Sequence, residues 1–300
     1  MPTFLAIDVA NDRLTAGIVD AKGEVAVRDR VATPARDVWP AVHRLVHRVL
    51  AAKPDEVESP IACGVSCEGP IDLQAGTVTP LHLPIWQGFE LRERARDLSG
   101  LPTTLATSGV ARVVAERWIG AAQHSANAMA VLVSDGVEAG IISNGRLLRG
   151  GHGNLGQIGH VIVEPEDGAP CPCGSLGCLA AYASSSAIER ETDRPLRRTP
   201  NALVERTGAL IGRAVASAVA VFDLRLVVLA GAVPHALGAP LVDAARRELE
   251  ARSKLTHLRT GSDKLRYKVQ LVQSRLGTEA PLVGAAGLAR WELARTAPVA

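Results

Sequence analysis

Aromatic residues are scarce in this chain of 300 residues, which has only four Trp, two Tyr and three Phe. Because hydrophobic residues still make up 47% of the chain, Ala, Val and Leu must fill its core. A surplus of charge is also missing, since the formal net charge is +2. This balance gives no electrostatic reason to expect nucleic acid or a membrane surface as a partner. High apolar content with low net charge also excludes disorder as the main state.

Long hydrophobic runs are absent. The longest apolar stretch, residues 214–222, ends at Asp223, well short of the ~20 apolar residues that a membrane span needs. The N-terminus lacks the basic region and the apolar run of a signal peptide. We therefore expect no membrane association and a cytoplasmic location.

Cysteine is sparse, but its distribution is informative. Three of the five cysteines, Cys171, Cys173 and Cys178, lie close together, and His160 precedes them. Three thiolates and one imidazole suit a tetrahedral Zn²⁺ ion, and four protein ligands close its coordination sphere. The pattern predicts a structural zinc site. The alternative is a set of buried free cysteines beside a core histidine.

Two α/β domains with mixed sheets are predicted, because both halves open with a strand hairpin and continue with alternating strands and helices. We assign residues 1–120 to a smaller N-terminal domain and residues 121–284 to a larger C-terminal domain. Strands are predicted at residues 4–9, 14–19, 24–31, 61–66, 102–105, 128–133, 140–143, 146–148, 226–229 and 267–272. Helices are predicted at residues 38–52, 108–121, 181–191, 201–222, 238–253 and 280–296.

A glycine-rich run from Arg149 to His160, followed by Cys-x-Cys-Gly-x-x-Gly-Cys, resembles the signature of the ROK family (repressor, open reading frame, kinase). Further segments are similar to the family's motifs: residues 5–8 to its first phosphate motif, 64–70 to a strand and turn, 227–232 to its adenosine motif and 284–286 to its closing helix.

The resemblance implies an actin-like, ribonuclease-H-like fold with two α/β domains, a cleft between them and a zinc-binding loop. It also implies that the helix at about 285–300 packs back onto the first domain. ROK members are mostly ATP-dependent sugar kinases, or repressors with an added winged helix. The first strand begins within four residues of Met1, so we expect no DNA-binding module. Dimerisation is a further expectation from the family.

The family's catalytic base lies in an Asn-Asp pair that opens a helix. In this chain the pair falls on Thr107 and Ser108, so the carboxylate is replaced by a hydroxyl. Serine has no useful proton affinity at neutral pH, although Ser108 suits the N-cap of the helix that follows. No catalytic residue is therefore intact.

The phosphate and sugar positions also depart from the family pattern. Asp8 is kept in the first phosphate motif, but Ala10 and Asp12 replace its glycine and threonine. The sugar-binding glutamates are replaced by Gln157 and Ala180, whereas His160 remains both a zinc ligand and a sugar-pocket position. The second phosphate loop carries Asp135, Gly136 and Glu138.

Asp12, Asp135 and Glu138 place carboxylates where phosphates should lie, which disfavours nucleotide. A metal ion that bridges these carboxylates to phosphate is the alternative. Three hypotheses follow. The first is a sugar-kinase fold without phosphotransfer that acts as a ligand-binding or regulatory protein, with a sugar or sugar derivative as ligand and Mg-ATP doubtful. The second is an active ATP-dependent kinase with a rebuilt site, for a glucose or N-acetylhexosamine type of sugar. The third is a structural partner in a hetero-oligomer with a related active kinase, and a stable lone homodimer would count against it.

Overall fold

The computed structural model describes residues 1–255 and 269–296. These residues form two compact units, each with a five-stranded mixed sheet and flanking helices, which confirms the predicted α/β class. The first unit comprises residues 1–120, 149–155 and 276–296, and the second comprises residues 121–148, 156–255 and 269–275. Within these ranges, every helix is too short or too polar to cross a membrane.

The first unit is built on one mixed sheet. Its strands are β1 (Thr3–Val9), β2 (Arg13–Asp20), β3 (Val25–Ala32), β4 (Pro60–Cys67), β5 (Ile71–Asp72), β6 (Thr77–Val78) and β7 (Thr103–Thr107). Its helices are α1 (Val38–Ala51), α2 (Leu91–Ser99), α3 (Ser108–Ile119) and α8 (Ala280–Thr296). The sheet order is β3-β2-β1-β4-β7, with β1 antiparallel to β2 and parallel to β4. Strands β5 and β6 form a separate hairpin.

Strand β1 is buried on both faces, and its side chains alternate between two cores. Leu5 and Ile7 belong to a cluster with residues of α1 and α2, whereas Phe4 and Ala6 pack with residues of α8. Helix α8 approaches the sheet closely at Gly64, where an added Cβ atom would lie 1.7 Å from the carbonyl oxygen of Ala285. Only glycine therefore permits this packing.

The second unit repeats the arrangement. Its strands are β8 (Ala128–Val133), β9 (Val137–Ser143), β10 (Arg146–Leu148), β11 (Leu226–Ala230) and β12 (Gln270–Gln273). Its helices are α4 (Ala180–Ala183), α5 (Ser185–Thr192), α6 (Asn201–Phe222) and α7 (Ala232–Arg252). The sheet order is β10-β9-β8-β11-β12, so three antiparallel strands are again followed by parallel ones.

Several elements differ from the predictions. Helix α2 was not predicted, although Leu91, Ala95 and Leu98 recur at helical spacing, because it has only nine residues and most of them are charged. Helix α7 begins at Ala232 instead of residue 238, and the backbone leaves the helical conformation at Gly238. The single helix predicted at 181–191 is two, because Ser184 is extended and caps α5. Residues 267 and 268 of the last predicted strand lie outside the described residues.

The two units do not follow the predicted boundaries throughout. Residues 149–155 and 276–284, which the sequence assigns to the C-terminal domain, cluster with the first unit. The side-chain amide of Asn154 accounts for the first segment, because it accepts from the Ile71 N–H at 2.8 Å and donates to the Ile71 carbonyl at 2.7 Å. The second segment carries the start of α8, where Leu282 packs in the core of the first unit.

Candidate functional site

The predicted metal ligands lie together in the second unit. The ligand atoms of His160, Cys171, Cys173 and Cys178 are all within 4.8 Å of one another. The Sγ atoms of Cys173 and Cys178 are 3.8 Å apart, and Cys171 Sγ is 3.7 Å from His160 Nδ1. A tetrahedral zinc ion with Zn–S bonds of about 2.3 Å separates two sulfurs by about 3.8 Å. The four residues could therefore hold a metal ion, and their donor set fits zinc.

A short loop with tight backbone contacts presents these ligands. At Gly177, φ is 74° and an added Cβ atom would lie 1.9 Å from the Glu164 carbonyl oxygen. The Tyr182 hydroxyl accepts a hydrogen bond of 2.7 Å from the Ala169 N–H, which ties the loop to α4. The ligand positions are therefore fixed by the backbone.

Gln157 lies three residues before His160, at the start of a single 3-10 turn. Its side-chain amide donates a hydrogen bond of 3.3 Å to Glu138, whose side chain is buried in β9. Gly156 makes this contact possible, because an added Cβ atom would lie 1.9 Å from the Ala139 carbonyl oxygen. The structure therefore joins Gln157, predicted for a sugar pocket, to Glu138, predicted for a phosphate loop. Ala180 begins α4 and is half-buried.

The loop between β8 and β9 contains Ser134, Asp135 and Gly136, and it is fastened to two helix N-termini. The Ser134 hydroxyl accepts a hydrogen bond of 3.0 Å from the Ala232 N–H in the first turn of α7. The Ser185 hydroxyl, at the start of α5, donates to the Asp135 carboxylate. Side chains of the loop therefore use groups at both helix starts that an anionic ligand could otherwise contact.

Asp8 is buried near the end of β1 in the first unit. Burial raises its pKa to about 6, and the nearby carboxylates of Asp12 and Glu68 also raise it. A hydrogen bond of 2.6 Å donated by the Ser66 hydroxyl and the charge of Arg112 oppose this rise. The site therefore disfavours the negatively charged form of Asp8.

The neighbouring motif positions are more open. The Asp12 carboxylate is exposed and forms an ion pair of 2.9 Å with Arg13, while Ala10 is half-buried. This pairing occurs between adjacent residues, so it contributes little to stability.

Helix α3 begins at Ser108, but Ser108 is not its N-cap, which corrects that prediction. Thr107 occupies the N-cap position, and its hydroxyl accepts a hydrogen bond of 3.4 Å from the Val110 N–H. Thr107 has extended backbone angles, as an N-cap requires, whereas Ser108 already lies in the helix. The half-buried Ser108 side chain is thus not used as a cap.

Two features of these sites were not predicted from the sequence. Ser134 and Ser185 are ordinary loop serines in the sequence, and only the fold brings them to α7 and Asp135. Arg112 is buried, which lowers the pKa of its guanidinium, and the charges of Glu116 and Asp8 oppose that shift. The sequence signal for Arg112 is a charged residue within the apolar run of α3.

Comparison with known proteins finds relatives that are named as sugar kinases. The chain is 29% identical to a glucokinase from Thermotoga maritima over 192 residues, and the match covers 62% of this chain but only 59% of that protein. It is 27% identical to an N-acetylmannosamine kinase from Haemophilus influenzae, over 94% of this chain and 93% of that protein. The crystal structure of a ROK hexokinase from Thermus thermophilus matches with a TM-score of 0.77 and 30% identity, over 98% of this chain and 99% of that one.

This similarity shows the α/β fold with mixed sheets of the actin-like ROK kinases. The sequence model of the ROK family matches residues 4–292, which is nearly the whole chain. The chain therefore belongs to the ROK family, and it is a sugar-kinase-like member.

Proposed function

We propose that this ROK protein binds a sugar or sugar derivative without transferring phosphate to it. The relatives named glucokinase and N-acetylmannosamine kinase support the sugar as ligand class. The observation that carries the loss of phosphotransfer is Ser108, a hydroxyl at the helix start where the family resemblance expects the catalytic carboxylate. Removing a positioned base costs roughly 10²–10⁴ in rate.

The phosphate positions support the same proposal. The Ala232 N–H at the start of α7 is engaged by the Ser134 hydroxyl, so a nucleotide phosphate would have to displace it. Asp135 adds a carboxylate to the same loop. Two like charges about 4 Å apart repel by roughly 4 kcal/mol at an effective dielectric constant of 20. Millimolar affinity is worth about 4 kcal/mol, so one such contact offsets it.

The sugar positions keep hydrogen-bonding capacity but change its chemistry. Gln157 offers an amide in place of the expected carboxylate, and the adjacent Glu138 supplies a carboxylate from β9. Sugar hydroxyls can donate to a carboxylate and exchange hydrogen bonds with an amide. Ala180 can do neither. The proposed ligand is therefore a hydroxyl-rich molecule that is held with fewer contacts than in the kinases.

The metal in this proposal is a structural zinc ion held by His160, Cys171, Cys173 and Cys178. Four protein ligands leave no open position for substrate or water, so the ion would supply folding energy and not Lewis-acid chemistry.

Direct sugar binding tests the proposal. Isothermal titration calorimetry with glucose, N-acetylglucosamine and N-acetylmannosamine should detect binding of at least one sugar, both with and without Mg-ATP. The Gln157→Ala variant should weaken that binding about tenfold, the effect of losing one hydrogen bond to a ligand. The exposed Gln87 provides the control, and Gln87→Ala should bind as the wild type does. Absence of sugar binding would contradict the ligand class.

A further inference from the structure

A cavity lies between α3 and α8 in the first unit, away from Ser108 and the other candidate site residues. It has a volume of about 310 Å³ and is lined by Val114, Arg117, Trp118, Gly287, Arg290 and Trp291. Trp118 lies ten residues after Ser108, or about 15 Å along α3 at 1.5 Å per residue. The cavity is therefore separate from the site that the proposed function uses.

Both helices contribute to the cavity in the same pattern. Each provides a small or apolar residue, followed by an Arg-Trp pair at the third and fourth positions after it: Val114 with 117–118, and Gly287 with 290–291. Residues at these spacings lie on one face of a helix. Half of the four tryptophans of an aromatic-poor chain therefore line one cavity.

Close packing at Gly287 keeps the two helices together. An added Cβ atom there would lie 2.6 Å from Cγ1 of Val114 and 3.1 Å from Cε3 of Trp118. Trp118 is also held at its other side by Phe4, with the ring centroids 6.4 Å apart in an edge-to-face arrangement. The indole of Trp118 is therefore a fixed wall of the cavity.

The charges around the cavity favour an anion. The guanidinium of Arg290 lies over the Trp118 ring, with Cζ 5.0 Å from the ring centroid. A guanidinium that stacks through its face keeps its in-plane N–H groups for a planar acceptor such as a carboxylate. The nearest carboxylate of α8, Glu292, is held by Arg149 and Arg295 on its own surface.

From this arrangement we propose that the cavity between α3 and α8 binds a small planar aromatic carboxylate. The indoles of Trp118 and Trp291 would contact the aromatic body, Arg290 would bind the carboxylate, and Arg117 would add positive charge at the opposite wall. A volume of about 310 Å³ lies at the lower end of the range for small-molecule sites, which suits a bicyclic ring with one short substituent.

Three probes that share an indole ring separate the contributions. Isothermal titration calorimetry should detect indole acetate, with affinity about tenfold higher than that of neutral indole, because charge-assisted hydrogen bonds to arginine add to the ring contacts. Tryptamine, which carries a cation, should bind more weakly than indole. Equal binding of the three probes, or no binding of indole acetate, would overturn the proposal.

Substitutions of residues that line the cavity test whether the probes bind there. Arg290 is exposed, so Arg290→Gln should fold normally and weaken indole acetate about tenfold, while its effect on indole is small. Arg44→Gln, on the exposed surface of α1 and outside the cavity, serves as the control, with wild-type affinity expected. Arg117→Gln gives an independent second test at the opposite wall. If none of the cavity variants changes the affinity for indole acetate, the ligand does not bind in this cavity and the proposal is contradicted.

A second copy of the chain is the competing occupant of this face. Sedimentation velocity of the wild type and Arg290→Gln distinguishes the two cases. The proposal expects the same oligomeric state in both proteins, whereas dissociation of the variant would assign the face to self-association and overturn the ligand site.

Discussion

The side-chain amide of Gln157 donates a hydrogen bond of 3.3 Å to the buried carboxylate of Glu138, although the two residues are 19 positions apart. Gly156 and Ala139 bring them together, because the Ala139 N–H donates to the Gly156 carbonyl at 2.6 Å. A position expected to bind sugar is thus in contact with one expected near phosphate. In our proposal this contact replaces the family's sugar carboxylate with a carboxylate from the neighbouring strand.

Removing the side-chain amide of Gln157 should show how much its hydrogen bond to Glu138 contributes to stability. We expect Gln157→Leu to lower the free energy of unfolding by about 1–3 kcal/mol, because the buried Glu138 carboxylate loses one donor. Urea denaturation measures the change. Gln87→Leu, on an exposed side chain, should change stability by less than about 0.5 kcal/mol. Equal effects of the two substitutions would contradict the importance of the buried contact.

The zinc proposal predicts one metal ion per chain by elemental analysis. Cys173→Ser should abolish stoichiometric zinc and lower the free energy of unfolding by more than about 4 kcal/mol, because structural zinc contributes directly to folding. Glu166→Gln, an exposed change in the segment that precedes the cysteines, should retain zinc and stability. A wild-type protein purified without zinc and unaffected by chelators would contradict the assignment.

Asp8 should make stability depend on pH. Its pKa is about 6 in the folded protein and near 3.8 when unfolded, so the folded state binds the proton more tightly. The contribution of Asp8 to stability should therefore fall as the pH rises from about 4 to about 6, and should stay lower above that range. The size of the loss is on the order of 3 kcal/mol.

Asp8→Asn removes this titration. Above pH 6 the variant should be more stable than the wild type, and the difference should vanish below about pH 4. Asp55→Asn, on an exposed side chain, serves as the control. Thermal melts across this pH range provide the test, and a variant that follows the wild-type curve would show that the Asp8 charge is not disfavoured.

Restoring a carboxylate at the base position should not restore activity by itself. We expect Ser108→Asp to leave phosphotransfer undetectable, because the loop with Ser134 and Asp135 still disfavours nucleotide phosphate. Ser108→Asn controls for the change in size at the start of α3. If Ser108→Asp transfers phosphate and Ser108→Asn does not, the expectation is contradicted, because the catalytic base would then be the only missing part of the site.

The sequence predicted local features well. The apolar run that predicts a strand at residues 4–9 and the close spacing of Cys171, Cys173 and Cys178 are both local patterns, and the structure has β1 and the ligand cluster where they are predicted. Helix α2 was missed because its apolar stripe is limited to Leu91, Ala95 and Leu98 within nine mostly charged residues.

The long-range contacts of the site could not be predicted in this way. Ser134 meets the start of α7 across 98 positions, and Asp135 meets Ser185 across 50. Both contacts depend on the packing of separate elements, which no local pattern encodes. The N-cap of α3 was predicted wrongly because Thr107 and Ser108 are both good capping residues. Only the backbone angles, which the sequence does not show, distinguish them.

Phosphotransfer from Mg-ATP to a panel of hexoses and N-acetylhexosamines tests the central claim most directly. The zinc-loaded protein should be assayed beside an active ROK kinase, with phosphorylated sugar detected by mass spectrometry. We predict no phosphorylated sugar above the level without protein, while at least one sugar binds. Turnover on any sugar would contradict the account, and its loss in Asp12→Asn or Asp135→Asn would assign a rebuilt kinase site to these carboxylates.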